Sequence, residues 1–165
     1  MLELFAAITK TVLYGAALSG AGSALARASL APLAAQNPVR LIARCAGFML
    51  AITAVASAVL LVVRLGNYWD IGTLAAIFLS PLGLALACLF VGGAWLASDA
   101  PPIAGLVAAL LIVLAFAISG HAAARNAPLA IVMAIHVAAA AWWVGGLWVL
   151  LRASKTEEGA AFAGL

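Results

Sequence analysis

The sequence predicts an all-α fold, a polytopic bundle of about five transmembrane helices, and three observations lead to that prediction. The chain has 165 residues, of which 68% are hydrophobic and only 8% are charged. A soluble domain carries about 25% charged residues, so a buried core cannot explain this deficit. The mean hydropathy is +1.25. The apolar residues also fall into five stretches separated by short polar breaks, most of them near the ~20 residues that a membrane-spanning helix needs.

The predicted helices make up a single transmembrane domain, residues 1–165. Pro81 should kink or divide the third helix, because proline lacks a backbone N–H and clashes with the preceding turn. Pro101 and Pro102 are suited to the start of the fourth helix. The longest connector, residues 27–39, leaves no room for a soluble domain. The helices are predicted at residues 4–26, 41–63, 71–97, 102–119 and 128–151.

The first apolar segment allows two interpretations. It resembles a secretory signal peptide, because Lys10 is followed by an apolar run and then by an A-x-A cleavage site at Ala24–Ala26. Against that, Gly15, Ser19 and Ser23 form a stripe of small residues suited to close packing against another membrane helix. A retained helix is favoured, because cleavage would leave a long unanchored loop at the mature N-terminus.

Lysine and arginine residues beside the spans indicate the orientation of the bundle. If the N-terminus lies outside, the cytoplasmic ends collect more basic residues than the outer ends, and the first loop carries the difference. The sequence therefore predicts an N-outside, C-inside arrangement. The cytoplasmic set is Arg27, Arg40, Arg44, Arg152 and Lys155, and the outer set is Lys10, Arg64 and Arg125.

Several classes of function lack support in this sequence. The net charge is +3, but the basic residues are spread along the chain, with no stripe that would bind a nucleic acid. Cys45 and Cys88 form no CxxC pair and no disulfide framework. There is no phosphate-binding glycine loop, nucleophile elbow or HExxH motif, so hydrolytic chemistry lacks support. The chain is predicted not to be an enzyme.

The strongest candidates for chemistry are the two histidines, His121 and His136. Ionisable side chains inside a bilayer are costly, so they are candidates for function. Helical spacing puts Met133, His136, Ala140 and Trp143 on one stripe, and His121 ends the preceding helix, so the imidazoles could converge near the outer mouth of the bundle. A thioether beside an imidazole suits a soft metal such as Cu(I). Alternatively, His136 bonds a neighbouring helix backbone and Met133 is ordinary packing.

Other residues give weaker signals. Cys45, Met49 and Cys88 could form an exit route of soft ligands for a cation that enters at the histidines. The favoured interpretation is that they are small or flexible core residues. Asp70 lies at the end of a segment, where a carboxylate usually caps a helix or is solvated.

The last predicted helix also carries signals for packing. Ala138–Ala141 make its surface thin, so another helix can approach closely. Gly145–Gly146 is expected to permit a close helix contact. The three tryptophans Trp142, Trp143 and Trp148 are expected to pack within the bundle or to shape a pocket.

Two short motifs stand out in the second half of the chain. One is Ser119–Ala123, around His121, and the other is Trp143–Leu147, which follows His136 and a run of alanines. Together they resemble the copper resistance protein D (CopD) family of bacterial inner-membrane proteins. The resemblance covers residues 119–150, and the family's members continue for further helices beyond that point.

The resemblance implies that the protein handles copper at the cytoplasmic membrane and moves it inward from the periplasm. It makes His121 and His136 the copper-interacting residues, with Trp143, Gly145 and Gly146 as scaffold. Because the sequence stops before those further helices, three interpretations stay open: a truncated reading frame, a half protein that needs a partner, or a smaller relative of the family.

The leading hypothesis is copper handling or transport, with Cu(I) accepted on the periplasmic side by His121, His136 and Met133. The expected partners are the lipid bilayer, a periplasmic copper-binding protein and a second membrane subunit that supplies missing helices. One alternative is a b-type haem electron-transfer protein with His121 and His136 as axial ligands. A second alternative is a non-catalytic membrane assembly subunit, which would hold neither copper nor haem.

Overall fold

The computed structural model describes residues 1–30, 37–66, 70–98, 101–119 and 127–153, nearly all of them α-helical. This part of the chain holds six helices and no strand, which confirms the predicted all-α bundle. Each predicted segment is recovered to within a few residues, and the third is divided in two. The helices are α1 (Leu2–Ser29), α2 (Asn37–Leu65), α3 (Ile71–Leu79), α4 (Pro81–Ala97), α5 (Pro102–Ser119) and α6 (Ala127–Ala153).

Three of these helices, α1, α2 and α6, are long and apolar enough to cross a membrane. The pair α3 and α4 makes a fourth crossing if it is one broken span, since the two are bent by 72°. The apolar part of α5, Ile103–Ser119, is shorter than a typical span. The chain is therefore a multi-pass membrane protein.

The break at Pro81 confirms the prediction made from that residue. Proline is tolerated at the first position of α4, because the N–H groups of a first turn have no partner within the helix. Ser80 precedes it, and its Oγ accepts a hydrogen bond from the backbone N–H of Gly83 at 3.1 Å. Gly83 lies so close to α3 that a Cβ there would meet the backbone of Ile77 and Phe78. The Ser-Pro-Leu-Gly sequence thus supports a sharp bend.

Helix α1 lies at the centre of the bundle and contacts α2, α4, α5 and α6. The stripe predicted from Gly15, Ser19 and Ser23 is wrong at Gly15, which faces open space, and correct at Ser23, which is fully buried. The close approaches come instead from Gly20, which packs against α2 and α4, and Gly22, which packs against α6. Small side chains occupy most of the buried positions, namely Ala16, Ala17, Gly20, Ala21, Gly22, Ser23, Ala24 and Ala26.

Glycine pairs also bring other helices into close contact. A Cβ on Gly47 of α2 would lie 2.6 Å from the carbonyl oxygen of Gly93 in α4, and a Cβ on Gly93 would lie 2.7 Å from that of Gly47. Gly92 meets α5 in the same way, at Ala108 and Ile112. Packing between helices in a bilayer depends on van der Waals contact, which small residues permit at short range. Backbone proximity therefore holds this bundle together.

Asp70 caps the start of α3, as its position at a segment end suggested. Its Oδ2 accepts hydrogen bonds from the backbone N–H of Thr73 at 2.8 Å and from the Thr73 hydroxyl at 2.7 Å. These two bonds favour the charged form and lower the pKa of Asp70 below its ordinary value. The bond from the hydroxyl has the larger effect and the bond from the N–H the smaller.

We expect this cap to make the stability of α3 depend on pH. Because the pKa of Asp70 is lowered in the folded protein, its contribution is complete above the unfolded pKa of about 4 and is lost as the pH falls through the folded value. Asp70→Asn keeps a capping side chain that does not titrate. The melting temperatures of wild type and Asp70→Asn, measured in detergent, should differ by a constant amount near neutral pH. That difference should shrink below about pH 4, and a constant difference down to low pH would contradict this account.

Candidate functional site

Helix α6 is attached to the bundle along one narrow stripe. Ala141 and Val149 are fully buried there, and Gly145 lies between them. Gly145 lies against Gly22 of α1. A Cβ on Gly145 would collide with the backbone of α1, and a Cβ on Gly22 would collide with the backbone of α6. These contacts confirm the close approach predicted at Ala141 and at Gly145, whereas Ala139 of the predicted alanine surface is exposed. Gly146, by contrast, faces open space.

The predicted stripe around His136 exists, and it lies on the outer surface of the bundle. Met133, His136 and Trp143 are all exposed, and Ala140 is half-buried. Only 6% of the apolar window of α6 is buried by the rest of the described structure. His136 thus lies on an exposed face of α6, and whether the two imidazoles converge near the outer mouth of the bundle stays a prediction. His121 lies outside the described residues.

The position of His136 along α6 corresponds to membrane depth. The residue is nine positions beyond Ala127, where α6 begins, and so about 14 Å along the helix axis. Within the described helices no group hydrogen-bonds its imidazole, so this part of the chain gives no support to the alternative that it bonds a neighbouring helix backbone. Polar groups left unsatisfied in hydrocarbon are costly. The two ring nitrogens are therefore available to a metal or to another chain.

The tryptophans of α6 do not pack within the bundle, which corrects the prediction made for them. Trp142 is 47% exposed, Trp143 64% and Trp148 37%. Trp142 nevertheless makes one tertiary contact, because its Nε1–H donates to the Oγ of Ser29 in α1 at 2.9 Å. Their rings cover the outside of α6, where they would contact lipid or a second protein.

The sulfur-bearing residues proposed as an exit route lie in different environments. Cys45 is exposed on α2, as is Met49, whereas Cys88 of α4 is half-buried against the hydrophobic core. Across the described ranges, no group of three or more histidine, cysteine, aspartate or glutamate residues could hold a metal ion. A complete ligand set that uses His136 would therefore need Met133, the region of His121, or a second chain.

Three arginines meet at one end of the bundle. Arg27 at the end of α1 and Arg40 and Arg44 near the start of α2 line the same cleft, together with Trp95 of α4. The cleft has a volume of about 30 Å³, which leaves room for no more than a few water molecules. Three of the five basic residues assigned to the cytoplasmic side thus lie together.

Sequence reasoning missed a larger cavity, which opens between α1, α2, α4 and α5. It has a volume of about 260 Å³, and its lining includes Lys10, Tyr14 and Arg64. The polar residues that line it are scattered along the chain and form no motif. One signal could have indicated it: Lys10 is a charged residue inside an apolar segment.

Comparison of the chain with protein-family models, with curated proteins and with solved structures finds no match.

Proposed function

We propose that this protein handles copper at the bacterial cytoplasmic membrane, and that His136, Met133 and His121 accept Cu(I) on the periplasmic side. The observation that carries the proposal is the position of His136, an imidazole at membrane depth with no hydrogen bond inside the described bundle. Ionisable residues in that position are rare unless they serve a function.

The chemistry of the neighbouring residue supports copper over other metals. Met133 precedes His136 by three positions on the same exposed face, so its thioether and the imidazole are neighbours on the helix surface. Thioethers select Cu(I), whereas imidazole accepts several transition metals. The resemblance of residues 119–150 to the CopD family supports the same cargo and adds His121 as a ligand.

The exposure of α6 supports a shared site. Its buried residues face mainly α1, with further contacts to α5 and α2, and the side that carries His136 is open to a second membrane subunit or to a periplasmic copper-binding protein. Either partner would supply the ligands that complete the coordination of Cu(I). The protein is therefore proposed to be one part of a transport assembly.

The test is the metal content of protein purified in detergent after growth with copper. We expect wild type to retain copper and His121→Ala/His136→Ala to lose it. Met133→Leu should weaken Cu(I) binding by about tenfold or more, because loss of a group that holds or tunes a metal costs on that order. Met49→Leu removes a thioether of similar exposure, 44% against 36% for Met133, on a different helix. It should leave Cu(I) binding unchanged if Met49 is ordinary packing, and a loss as large as that of Met133→Leu would point to the exit route instead.

Equal copper in wild type and in the double histidine variant would overturn the proposal. The absorption spectrum of the same samples tests the haem alternative, since a Soret band that the double variant lacks would assign the histidines to haem. Retention of neither copper nor haem by wild type would leave the assembly-subunit alternative.

A further inference from the structure

The cavity between α1, α2, α4 and α5 combines an apolar interior with a cationic mouth. It lies at the end of the bundle where α1 begins and where α2 and α5 end. Its deeper walls come from Leu13, Leu86, Leu89 and Phe116. Leu13 and Leu89 are each only 5% exposed, so these walls belong to the hydrophobic core.

Among the described residues that line the cavity, the two side chains that are charged at neutral pH are both cations, Lys10 and Arg64. The guanidinium of Arg64 donates to the Oε2 of Glu3 at 2.8 Å, and Glu3 itself is 86% exposed outside the cavity. Such an exposed ion pair is weak, so another anion can replace the glutamate. The charge at the mouth therefore favours a negatively charged group.

Two of the hydroxyl groups that line the cavity contribute little to recognition of a polar ligand. Thr9 donates to the backbone carbonyl of Phe5 at 2.9 Å, and Ser57 donates to that of Thr53 at 2.7 Å. Their hydrogen atoms are thus used within their own helices. The hydroxyls of Tyr14 and Ser119 also line the cavity and can add hydrogen bonds. The attraction for an anionic head comes from the two cations at the mouth, and apolar contact in the interior holds its chain.

The size of the cavity limits the ligand. About 260 Å³ is slightly less than the ~300–1,000 Å³ of pockets that hold drug-sized molecules. One flexible hydrocarbon chain fits such a space, whereas a bulky ring system or two chains side by side would not.

We propose that this cavity binds a single-chain anionic amphiphile, with its carboxylate or phosphate head at Lys10 and Arg64 and its chain against Leu13, Leu86 and Leu89. A free fatty acid and a lysophospholipid share this chemistry. The site is separate from the proposed copper ligands on α6 and does not depend on them.

The test is a titration of the full chain, purified in detergent, with three probes. The melting temperature of the protein is measured at each probe concentration, since a ligand that binds the folded state raises it. The probes are oleate, oleoyl-lysophosphatidylglycerol and oleyl alcohol, which has the same chain without a charge. We expect both anions to bind, and oleyl alcohol to bind weakly or not at all. The anion that binds more tightly shows whether the ligand is a free fatty acid or a lysophospholipid.

Variants then locate the binding site. Lys10→Gln should raise the Kd of the anions by about fivefold, the effect of roughly one basic residue near an anionic head. Lys10→Gln/Thr11→Lys is its matched control, because it keeps the net charge but moves it about 100° around α1. This double variant should bind as weakly as Lys10→Gln. Ser57→Phe, which fills the cavity without removing a bond between helices, should abolish binding.

Three results would overturn the proposal. Equal binding of oleyl alcohol and oleate would show that the anionic head is not recognised. Recovery of binding in Lys10→Gln/Thr11→Lys would show that net charge alone attracts the ligand. Unchanged binding in a folded Ser57→Phe variant would show that the ligand binds outside the cavity. If Ser57→Phe does not fold, the comparison of Lys10→Gln with Lys10→Gln/Thr11→Lys tests the site instead.

Discussion

Gly145→Ala is expected to destabilise the protein strongly, whereas Gly146→Ala should leave it unchanged or make it more stable. The two glycines are neighbours on α6, and replacement by alanine favours the helical state by about 1 kcal/mol at each. They differ in what a Cβ would meet. At Gly145 it would collide with the backbone of Gly22 in α1, and at Gly146 it would meet nothing within 4 Å.

The cost at Gly145 follows from the rigidity of its neighbours. A flexible side chain could rotate away from an added methyl group, but the backbone of a central helix cannot move without disturbing its other contacts. We therefore expect a loss near the upper end of overpacking effects, about 3 kcal/mol in the free energy of unfolding. The gain in helix propensity offsets only part of that loss.

Unfolding of the two variants in mixed detergent micelles, by titration with a denaturing detergent, measures this difference. Far-ultraviolet circular dichroism should show that both remain helical before the titration. If Gly145→Ala proves as stable as Gly146→Ala, then α6 does not pack against α1 through Gly22, and the attachment of α6 described above is incorrect.

Gly83→Ala should open the bend between α3 and α4 and destabilise the protein by about 1–3 kcal/mol. A Cβ at this position would lie 2.7 Å from both the Cα and the carbonyl oxygen of Phe78, and still closer to the carbonyl of Ile77. Because these atoms belong to the adjoining helix, the strain is relieved only by a change in the 72° angle.

A distance measurement across the bend tests this effect. Spin labels on exposed Val59 of α2 and Ala75 of α3, in a background without Cys45 and Cys88, report the position of α3. The distance should change in Gly83→Ala and stay as in wild type in Gly15→Ala, since a Cβ at Gly15 meets nothing within 4 Å. An unchanged distance in both variants would show that Gly83 does not set the bend.

The sequence was sufficient to predict the helices, the break at Pro81 and the cap at Asp70. Each of these depends on local chemistry, such as a run of apolar residues, a missing N–H or a carboxylate at a helix start. The close approach of Ala141 and Gly145 could also be anticipated, because a small side chain is a requirement of any short contact between helices.

The faces of the helices could not be predicted in the same way. A soluble helix reveals its buried side through alternating apolar and polar residues, but α6 is apolar nearly all round, so nothing in the pattern separates Trp143 from a core residue. Small residues likewise occupy almost every side of α1, and the stripe through Gly15 was as plausible as the true contact at Gly20 and Gly22. Which residues of α1 are buried is therefore determined by tertiary packing.

The contact between Gly22 and Gly145 also restricts where a solute can pass. Two backbones that touch leave no gap for water or for a hydrated cation at that level of the seam between α1 and α6. If copper moves by way of His136, as proposed, it passes along the exposed face of α6 and not between α1 and α6 at this level. That face is open to hydrocarbon until another protein covers it.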